Sequence, residues 1–443
     1  MTNKAEEYYK KTLFECKNVE AQLKKKGNRI AFLRLFVFIL FIYFIVLTLK
    51  TSGLLNYAVS VSSIILFFAL VNYSKKISQF RKKVNWLIKI NENELKALAG
   101  IYSQFNNGQE FLNPEHEFTY DLDIFGKNSI FQFINRSCTV EGKKQLAGLF
   151  LNSPLTEPEI GRRQGICKEL SLKPDFIQDF LSDGYLTEDN ENDKDEIVEW
   201  TKVKGPEFRK FVSFLTFLLP FVNVLTIIAG IIDSVWFHVF YLSLPAVWIT
   251  YSSNILKINK YHNTISKKQD ILSKYIALGR IIIRQQFHHP TLIDIRHKMK
   301  SSLQSVRKLD SLINIFDTRL NMLVGAIFNS ILMLDFHMIR KLEKWKDQNK
   351  ELLENFLNGP AKMDTSISLT VFHFNHPEYV FPVISDSILS ARQLGHPLIL
   401  KQKRVNNDFS MNNQDKVFIV TGANMAGKST FLRTLGVNID RKS

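Results

Sequence analysis

Residues Lys416 to Arg433 read KVFIVTGANMAGKSTFLR, and this stretch decides how the rest of the chain is interpreted. Val417 to Val420 is an unbroken apolar run, which predicts a strand buried on both faces of a parallel sheet. Gly422 to Ser429 then match the pattern GxxxxGK[ST] in full. In such a loop the glycines let the backbone curl, so that successive N–H groups point at phosphate oxygens. The stretch therefore predicts a strand, a phosphate-binding loop and a helix.

The parts of this Walker A loop have separate roles in binding a nucleotide. Lys428 supplies a cation for the β- and γ-phosphates, Ser429 supplies a hydroxyl for magnesium, and a helix starting near Gly427 supplies its positive N-terminal end. ATP and Mg²⁺ are accordingly the predicted cofactors. The predicted nucleotide-binding residues are Gly422, Ala423, Asn424, Met425, Ala426, Gly427, Lys428, Ser429 and Thr430, with Ser429 as the magnesium ligand.

The composition is that of a large folded protein with excess positive charge. The 443 residues are 45% hydrophobic and include 36 Phe, which is enough apolar material for two or three domains. The net charge of +16 suits nucleic acid, an anionic membrane surface, or the flanks of membrane spans. Three distant cysteines, Cys16, Cys138 and Cys167, exclude a disulfide framework and a cysteine metal site.

Four long apolar runs predict two transmembrane hairpins. Each run has about the 20 residues that an α-helix needs to cross a bilayer. Arg34 is a charge near one end of the first run, where its long side chain can reach the headgroups. The runs cover residues 30–49, 54–73, 212–232 and 234–253.

Basic residues flank these runs on one side. They cluster before the first and third runs and after the second and fourth, whereas the hairpin turns carry only Lys50 and Asp233. This positive-inside pattern predicts a multi-pass membrane protein whose soluble parts and termini are cytoplasmic. The alternative is that the four runs are buried helices of a soluble core. A fifth apolar run, Leu320 to Leu334, is short and is predicted to be a buried core helix.

Outside the spans the sequence predicts a mainly α fold that becomes α/β near the phosphate loop. Residues 256–358 have helical patterns, and Gly359-Pro360 is predicted to end this helical region. After it, residues 368–372 predict a strand and Ser385 to Gly395 a helix. The predicted segments are a cytoplasmic N-terminal helix (1–29), transmembrane hairpin 1 (30–74), a cytoplasmic helical segment (75–211), transmembrane hairpin 2 (212–253), a helical core or lever (254–361) and a partial P-loop ATPase domain (362–443).

The phosphate loop and two other segments resemble the MutS family of DNA mismatch repair ATPases. Thr421 to Thr430, TGANMAGKST, closely resembles the family's loop TGPNMGGKST, whose Asn-Met pair is unusual among phosphate loops. His396-Pro397 stands where the family has an HP element upstream of the loop. Ser129 to Leu170 resembles the start of the MutS core, with the pattern T-x-x-G-x-x-x-L, a proline and R-x-x-x-[IV]. The resemblance covers residues 120–200 and 256–439.

This resemblance implies a fold and an activity. The implied fold is a MutS-like helical core followed by the N-terminal part of an ABC-type P-loop ATPase domain. The implied function is ATP binding with ATP-dependent sensing of mismatched DNA, here tethered to a membrane. A homodimer of the full-length form and DNA are the implied partners. Where the family has an aromatic side chain that stacks on adenine, this chain has Arg404.

Two later parts of such an ATPase, the acidic Walker B strand and the signature loop, have no place after Thr430. We therefore expect a C-terminally truncated chain that binds phosphate without a complete catalytic set, and we predict no catalytic residue. The alternative function is a non-enzymatic membrane scaffold with a vestigial phosphate loop. The alternative to DNA contact is that the basic helices of residues 256–350 only present solvated faces beside anionic lipid.

Overall fold

The computed structural model describes residues 4–51, 53–152, 156–384, 388–412, 417–423 and 427–439. This part of the chain is mostly helical, which confirms the prediction of a mainly α fold. The helices are α1 (Lys4–Lys50), α2 (Leu54–Leu98), α3 (Ile130–Ile134), α4 (Val140–Leu151), α5 (Glu157–Ser171), α6 (Pro174–Gly184), α7 (Asp193–Lys202), α8 (Lys210–Ile232), α9 (Trp236–Ser252), α10 (Ile255–Ser266), α11 (Gln269–Arg284), α12 (Pro290–Asp317), α13 (Met322–Leu332), α14 (Leu334–Asn375) and α15 (Lys428–Ile439).

Helix α14 continues through the segment that the sequence pattern divided. Gly359 and Pro360 lie inside it, and so does the predicted strand 368–372. A Cβ on Gly359 would come within 2.7 Å of the Met299 methyl group, so this glycine permits close packing on α12 and does not end the helix. One face of α14 is fully buried, and its burial offsets the hydrogen bond that Pro360 cannot donate. That face consists of Leu353, Phe356, Leu357, Ala361, Met363 and Ile367. The predicted helix end and strand are therefore wrong.

Two strands, β1 (Ile388–Leu394) and β2 (Asn407–Asn412), pair antiparallel in the described part of the C-terminal region. Ile388 lies opposite Asn412 and Leu394 opposite Asn407, with an irregularity in the register between them. Strand β1 occupies most of the segment 385–395, for which a helix was predicted, and residues 385–387 lie outside the described chain. That helix prediction is wrong because pairing with β2, which local pattern does not reveal, decides the conformation.

The segment Val417–Val420, predicted to be a buried strand, is irregular and exposed. Val417 and Ile419 are 75% and 78% exposed. A parallel strand requires hydrogen-bonded neighbours in its sheet, and the one sheet of the described residues contains only β1 and β2. The prediction of a buried strand before the phosphate loop is therefore wrong for the described structure.

The chain divides into two compact units. Unit 1 consists of Met1–Ser137, Leu146–Leu186 and Ser366–Ser443, and unit 2 of Cys138–Gln145 and Thr187–Thr365. The six segments predicted from the sequence are a finer division, which these two units do not test.

Unit 1 contains the long helical hairpin α1–α2 and a phenylalanine-rich core. Helix α2 is attached to α6 by the side-chain amides of Asn91 and Gln178, which exchange two hydrogen bonds of 2.8 Å. Trp86 stacks on Tyr185 with ring centroids 5.1 Å apart. The core cluster consists of Ile124, Phe125, Ile130, Phe131, Leu146 and Ala147.

A buried ion pair and its hydrogen-bond partners join four segments of unit 1. Glu94 of α2 and Arg136 are 3% and 4% exposed and form a bidentate pair through Arg136 Nε and Nη2. Asn375, the last residue of α14, donates to Glu94 Oε2 at 2.8 Å and accepts from the Tyr9 hydroxyl of α1 at 2.9 Å. Arg136 also donates to two backbone carbonyls. Both buried charges therefore have hydrogen-bond partners.

Unit 2 is built from helices α7 to α13 and most of α14. Its core lies between α11, α12 and α14, where large apolar side chains are fully buried. These include Leu278, Ile282, Leu292, Val306, Ile313, Phe336 and Phe356.

A buried carboxylate in unit 2 explains the T-x-x-G pattern of the sequence. Asp364 accepts from the N–H groups of Cys138 and Thr139 at 3.1 and 2.8 Å and from the Thr139 hydroxyl at 2.6 Å. Thr139 Oγ1 in turn accepts from the Gly142 N–H at 3.0 Å at the start of α4. A Cβ on Gly142 would collide with Asp364. Burial raises the pKa of Asp364 to about 6, although these hydrogen bonds act to lower it.

Among the residues that the structure describes, three helices are long and apolar enough to cross a membrane, by length and composition: α1, α2 and α8. The number reaches five if the bent pairs α9–α10 and α13–α14 each count as one span. The first three apolar runs of the sequence fall in α1, α2 and α8, and the fourth falls in α9. The outward faces of these helices carry exposed apolar side chains, among them Phe36, Phe68, Phe221 and Leu242.

Helix α13 is not the buried core helix that the sequence predicted. Leu320, Met322 and Leu323 are 71%, 87% and 75% exposed, and the buried residues of α13 are Gly325 and Asn329. The prediction was wrong because the small and polar residues of this run face the protein, whereas its apolar residues face outward.

Candidate nucleotide-binding loop

Helix α15, which follows the phosphate loop, docks on the core of unit 1 through its second half. Leu435 is buried, and Val437 packs against the core cluster. A Cβ on Gly436 would come within 2.6 Å of Leu122, so the glycine allows close contact there. Arg433 pairs with Asp123. These contacts fix the helix and thereby the position of its N-terminal end, where the loop lies.

Gly427 enters α15 in a left-handed conformation, with φ +81°. Side-chain-bearing residues avoid this region at a cost of roughly 1–2 kcal/mol. Apart from its chain neighbours, no atom of the described residues lies within 4 Å of the position that a Cβ on Gly427 would take. The glycine is therefore required by the backbone conformation and not by crowding.

Lys428 is the first residue of α15, where the sequence pattern placed the start of a helix. Its ammonium group donates to the Gly422 carbonyl at 2.6 Å and so reaches back across the loop. Ser429 and Thr430 are exposed. Of the predicted site residues, the structure thus brings together the two ends of the loop. The predicted residues Asn424, Met425 and Ala426 lie outside the described chain.

An aromatic contact that the sequence analysis missed joins the two flanks of the loop. Phe418, before the loop, and Phe431, after it, both lie against Phe409 of β2, with ring centroids 5.1 and 6.4 Å away. Phe409 is 8% exposed. The alternation of polar and apolar residues in DFSM was the available signal, because it places the apolar residues Phe409 and Met411 on the opposite face of a strand from Asp408 and Ser410.

Arg404 does not lie free at the position where the resemblance places an adenine-stacking aromatic. It donates to the Tyr379 hydroxyl at 2.6 Å, and its guanidinium lies over the Tyr379 ring at 5.3 Å. Tyr379 stacks in turn on His376, with centroids 4.9 Å apart and planes at 14°. Burial lowers the pKa of His376, so this imidazole is neutral near pH 7. Tyr379 and His376 are flat side chains that sequence reasoning did not connect with Arg404.

The hydrogen-bond donors of the loop suit a nucleoside triphosphate. The first N–H groups of α15 have no acceptor within the helix, and an ammonium and a hydroxyl stand beside them at Lys428 and Ser429. For Lys428 to contact a phosphate, its ammonium would exchange the Gly422 carbonyl for phosphate oxygens. Among the residues that the structure describes, no group of three or more His, Cys, Asp or Glu side chains could hold a metal ion.

Unit 2 has a basic surface on α11 and α12. Arg280, Arg284 and Arg307 are exposed there. Burial and the positive charges of Arg307 and Arg284 lower the pKa of Arg280, whereas Asp310 raises it. Arg284 and Arg307 thus both lie near enough to Arg280 to act on its charge, and the surface is locally positive beside the single carboxylate of Asp310.

Comparison with known proteins gives partial matches, and no protein-family model matches the chain. DNA mismatch repair protein MutS of Thermotoga sp. (strain RQ2) is 35% identical over 92 residues, which are 20% of this chain and 12% of that protein. DNA mismatch repair protein MSH3 of Candida albicans is 26% identical over 202 residues, 41% of this chain and 19% of that protein. Endonuclease MutS2 of Leuconostoc mesenteroides is 40% identical over 93 residues, 20% of this chain and 10% of that protein.

These matches support a relationship to the MutS family. They span between 10% and 19% of the length of these three relatives. The relationship therefore concerns a part of each relative and not its whole activity.

Proposed function

We propose that this chain is a MutS-family protein, tethered to a membrane, that binds ATP with Mg²⁺ at Gly422–Thr430 and contacts DNA through unit 2. One observation carries the proposal of ATP binding: Gly427 enters α15 in a left-handed conformation, with Lys428 at the helix N-terminus. This is the backbone arrangement that a phosphate loop requires. It occurs in a sequence, TGANMAGKST, that resembles the loop of the MutS family.

Lys428, Ser429 and the N-terminal end of α15 have separate tasks in this proposal. Lys428 balances the charge of the β- and γ-phosphates, and the N-terminal end of α15 receives the phosphate oxygens. The Ser429 hydroxyl is a ligand for Mg²⁺, which when bound would neutralise phosphate charge. The guanidinium of Arg404, which the Tyr379 hydroxyl holds by a hydrogen bond, offers a flat, cationic face to an adenine ring.

Membrane tethering accounts for the exposed apolar faces of α1, α2, α8 and α9. An aqueous protein would not leave side chains such as Phe36 and Leu242 uncovered in continuous rows. The basic residues at the same ends of these helices support a cytoplasmic position for both termini and the soluble parts. We also propose that a homodimer brings two such loops together.

Replacing Lys428 by alanine is expected to weaken binding of a fluorescent ATP analogue by about 10- to 100-fold, because one charge-assisted contact to phosphate is lost. The measurement is equilibrium binding to the detergent-solubilised protein with Mg²⁺. Lys401→Ala is the matched control, because Lys401 is an exposed lysine of the same unit outside the loop. Equal affinities of the wild type and Lys428→Ala would contradict the proposal. Absence of binding to either would favour the non-enzymatic scaffold, for which the irregular Val417–Val420 is the supporting observation.

Reversing two charges of the basic surface is expected to weaken DNA binding and its dependence on salt. For duplex DNA, the slope of log K against log salt is negative, and in the double variant Arg280→Glu with Arg307→Glu its magnitude should be smaller by about 2. Lys350→Glu, on an exposed position of α14, is the control. If the wild-type protein does not bind duplex DNA at low salt, or if the double variant has the same slope as the wild type, this surface does not bind DNA.

A further inference from the structure

The segment that contains α13 begins and ends at the same place within unit 2. Arg319 precedes α13 and Asp335 follows it, and Arg319 Nε lies 3.0 Å from Asp335 Oδ2. The hydroxyl of Tyr251, near the end of α9, donates to the same carboxylate oxygen at 2.9 Å. Arg319 also donates to Asn259 of α10 at 2.6 Å. Both ends of the segment therefore lie at the C-terminal end of α9.

The last carbonyls of α13 accept hydrogen bonds from a side chain of another helix. Met333 is left-handed, with φ +47°, and α14 leaves at an angle of 83° to α13. Such an end leaves the last carbonyls without donors from their own helix. Asn223, fully buried in the middle of α8, donates to the carbonyls of Ser330 and Ile331 at 3.0 and 3.3 Å. Ser243 of α9 donates to the Asn223 side-chain oxygen and so orients the amide.

The distribution of polar and apolar residues around α13 is the reverse of that of a helix on a water-exposed surface. Asn329 is buried, donates to the Gly325 carbonyl at 3.0 Å and accepts from the Asp335 N–H at 3.0 Å. The outward residues Leu323 and Ile327 are apolar and 75% and 57% exposed. An apolar exterior with internally paired backbone groups is what hydrocarbon requires, because no water is there to pair with them.

We propose that residues 320–334 are a re-entrant segment that lies among the acyl chains of a bilayer and enters and leaves it on the same side. This inference rests on the proposed membrane tether. With eleven residues, α13 is about 16 Å long, whereas the hydrocarbon layer is about 30 Å thick. Its apolar surface continues that of α8 and α9, on which it packs. The segment adds no crossing, so the chain before and after it stays on one side.

Cysteine labelling in membrane vesicles of both orientations tests this topology. The reagent is a membrane-impermeant maleimide, and the variants are Thr318→Cys, Ile327→Cys and Lys341→Cys in a Cys16→Ala background. The remaining Cys138 and Cys167 are buried, and the parent chain gives the blank. We expect Thr318→Cys and Lys341→Cys to react from the same side. Ile327→Cys should react from neither side until detergent and denaturant are added.

Two results would overturn the inference. Reaction of Thr318→Cys and Lys341→Cys from opposite sides would show a full crossing, and reaction of Ile327→Cys in intact vesicles would show a water-exposed helix. Leu66→Cys, on the apolar face of α2, separates this failure from failure of the tether. If Leu66→Cys is protected while Ile327→Cys reacts, only the re-entrant segment is disproved. If both react, the membrane tether itself fails.

A second comparison tests the part assigned to Asn223. Adding Asn223→Ala to Ile327→Cys removes the donor to two carbonyls and should raise the labelling rate of intact vesicles about tenfold. Asn314→Ala, on an exposed face of α12, is the control. An unchanged rate in the Asn223→Ala variant would show that Asn223 does not hold the segment.

Discussion

Replacing Arg136 by alanine is expected to lower the free energy of unfolding of unit 1 by about 3–5 kcal/mol, because it leaves the Glu94 carboxylate buried without its cation. Glu94 is 3% exposed, and the Asn375 amide alone would remain as its neutral partner. For a unit of this size the melting temperature should fall by about 6 °C or more. Thermal unfolding of the detergent-solubilised protein, followed by near-ultraviolet circular dichroism, measures the change.

The same residue type at an exposed ion pair provides the control for this prediction. Arg81 pairs with Glu20 at 2.7 Å in unit 1, but both side chains are partly exposed. Exposed pairs contribute about 0–1 kcal/mol, so Arg81→Ala should have a small effect. Similar losses for Arg136→Ala and Arg81→Ala would contradict the view that the buried pair holds α1, α2 and the end of α14 together.

Replacing Asp364 by alanine is expected to destabilise unit 2 by about 3 kcal/mol at pH 4.5, because the N–H groups of Cys138 and Thr139 and the Thr139 hydroxyl lose their acceptor. Burial raises the pKa of Asp364 from 3.8 to about 6. The native carboxyl therefore holds a proton that the unfolded chain releases. Its contribution is complete below pH 3.8 and is lost as the pH rises through about 6. Consequently the difference between wild type and Asp364→Ala should shrink between pH 4.5 and 7.5.

Urea unfolding at several pH values measures this difference. Asp294→Ala is the control, because Asp294 forms an exposed i,i+4 pair with Lys298 in the same unit. A difference between wild type and Asp364→Ala that grows with pH would mean that the native carboxylate is ionised and well paired. That result would contradict the raised pKa.

Local pattern was sufficient for the features that depend on neighbouring residues. Uncharged runs predicted the apolar lengths of α1, α2 and α8, and the spacing of Gly422, Gly427 and Lys428 predicted a loop that leads into a helix. Both depend on residues within one turn or one run of the chain, so the sequence displays them directly.

Contacts between distant residues decided the rest. Residues 368–372 have the composition of a strand, yet they are helical because Ser368, Thr370 and Val371 are buried against the protein on a continuous helix. Asp364 and Thr139 are 225 residues apart, and no periodicity connects them. Helix α13 was predicted to be buried because an apolar run does not show which of its side chains other parts of the protein cover.

We propose, in sum, that a membrane-embedded chain presents a functional phosphate loop on the cytoplasmic side. The most direct test of this proposal is photolabelling of the chain by an azido-ATP analogue in salt-washed, inside-out membrane vesicles. We predict label on the chain in the vesicle pellet that competes with ATP, falls strongly in Lys428→Ala and is absent in sealed right-side-out vesicles. A chain that the salt wash releases from the membrane, or equal labelling of wild type and Lys428→Ala, would contradict the account.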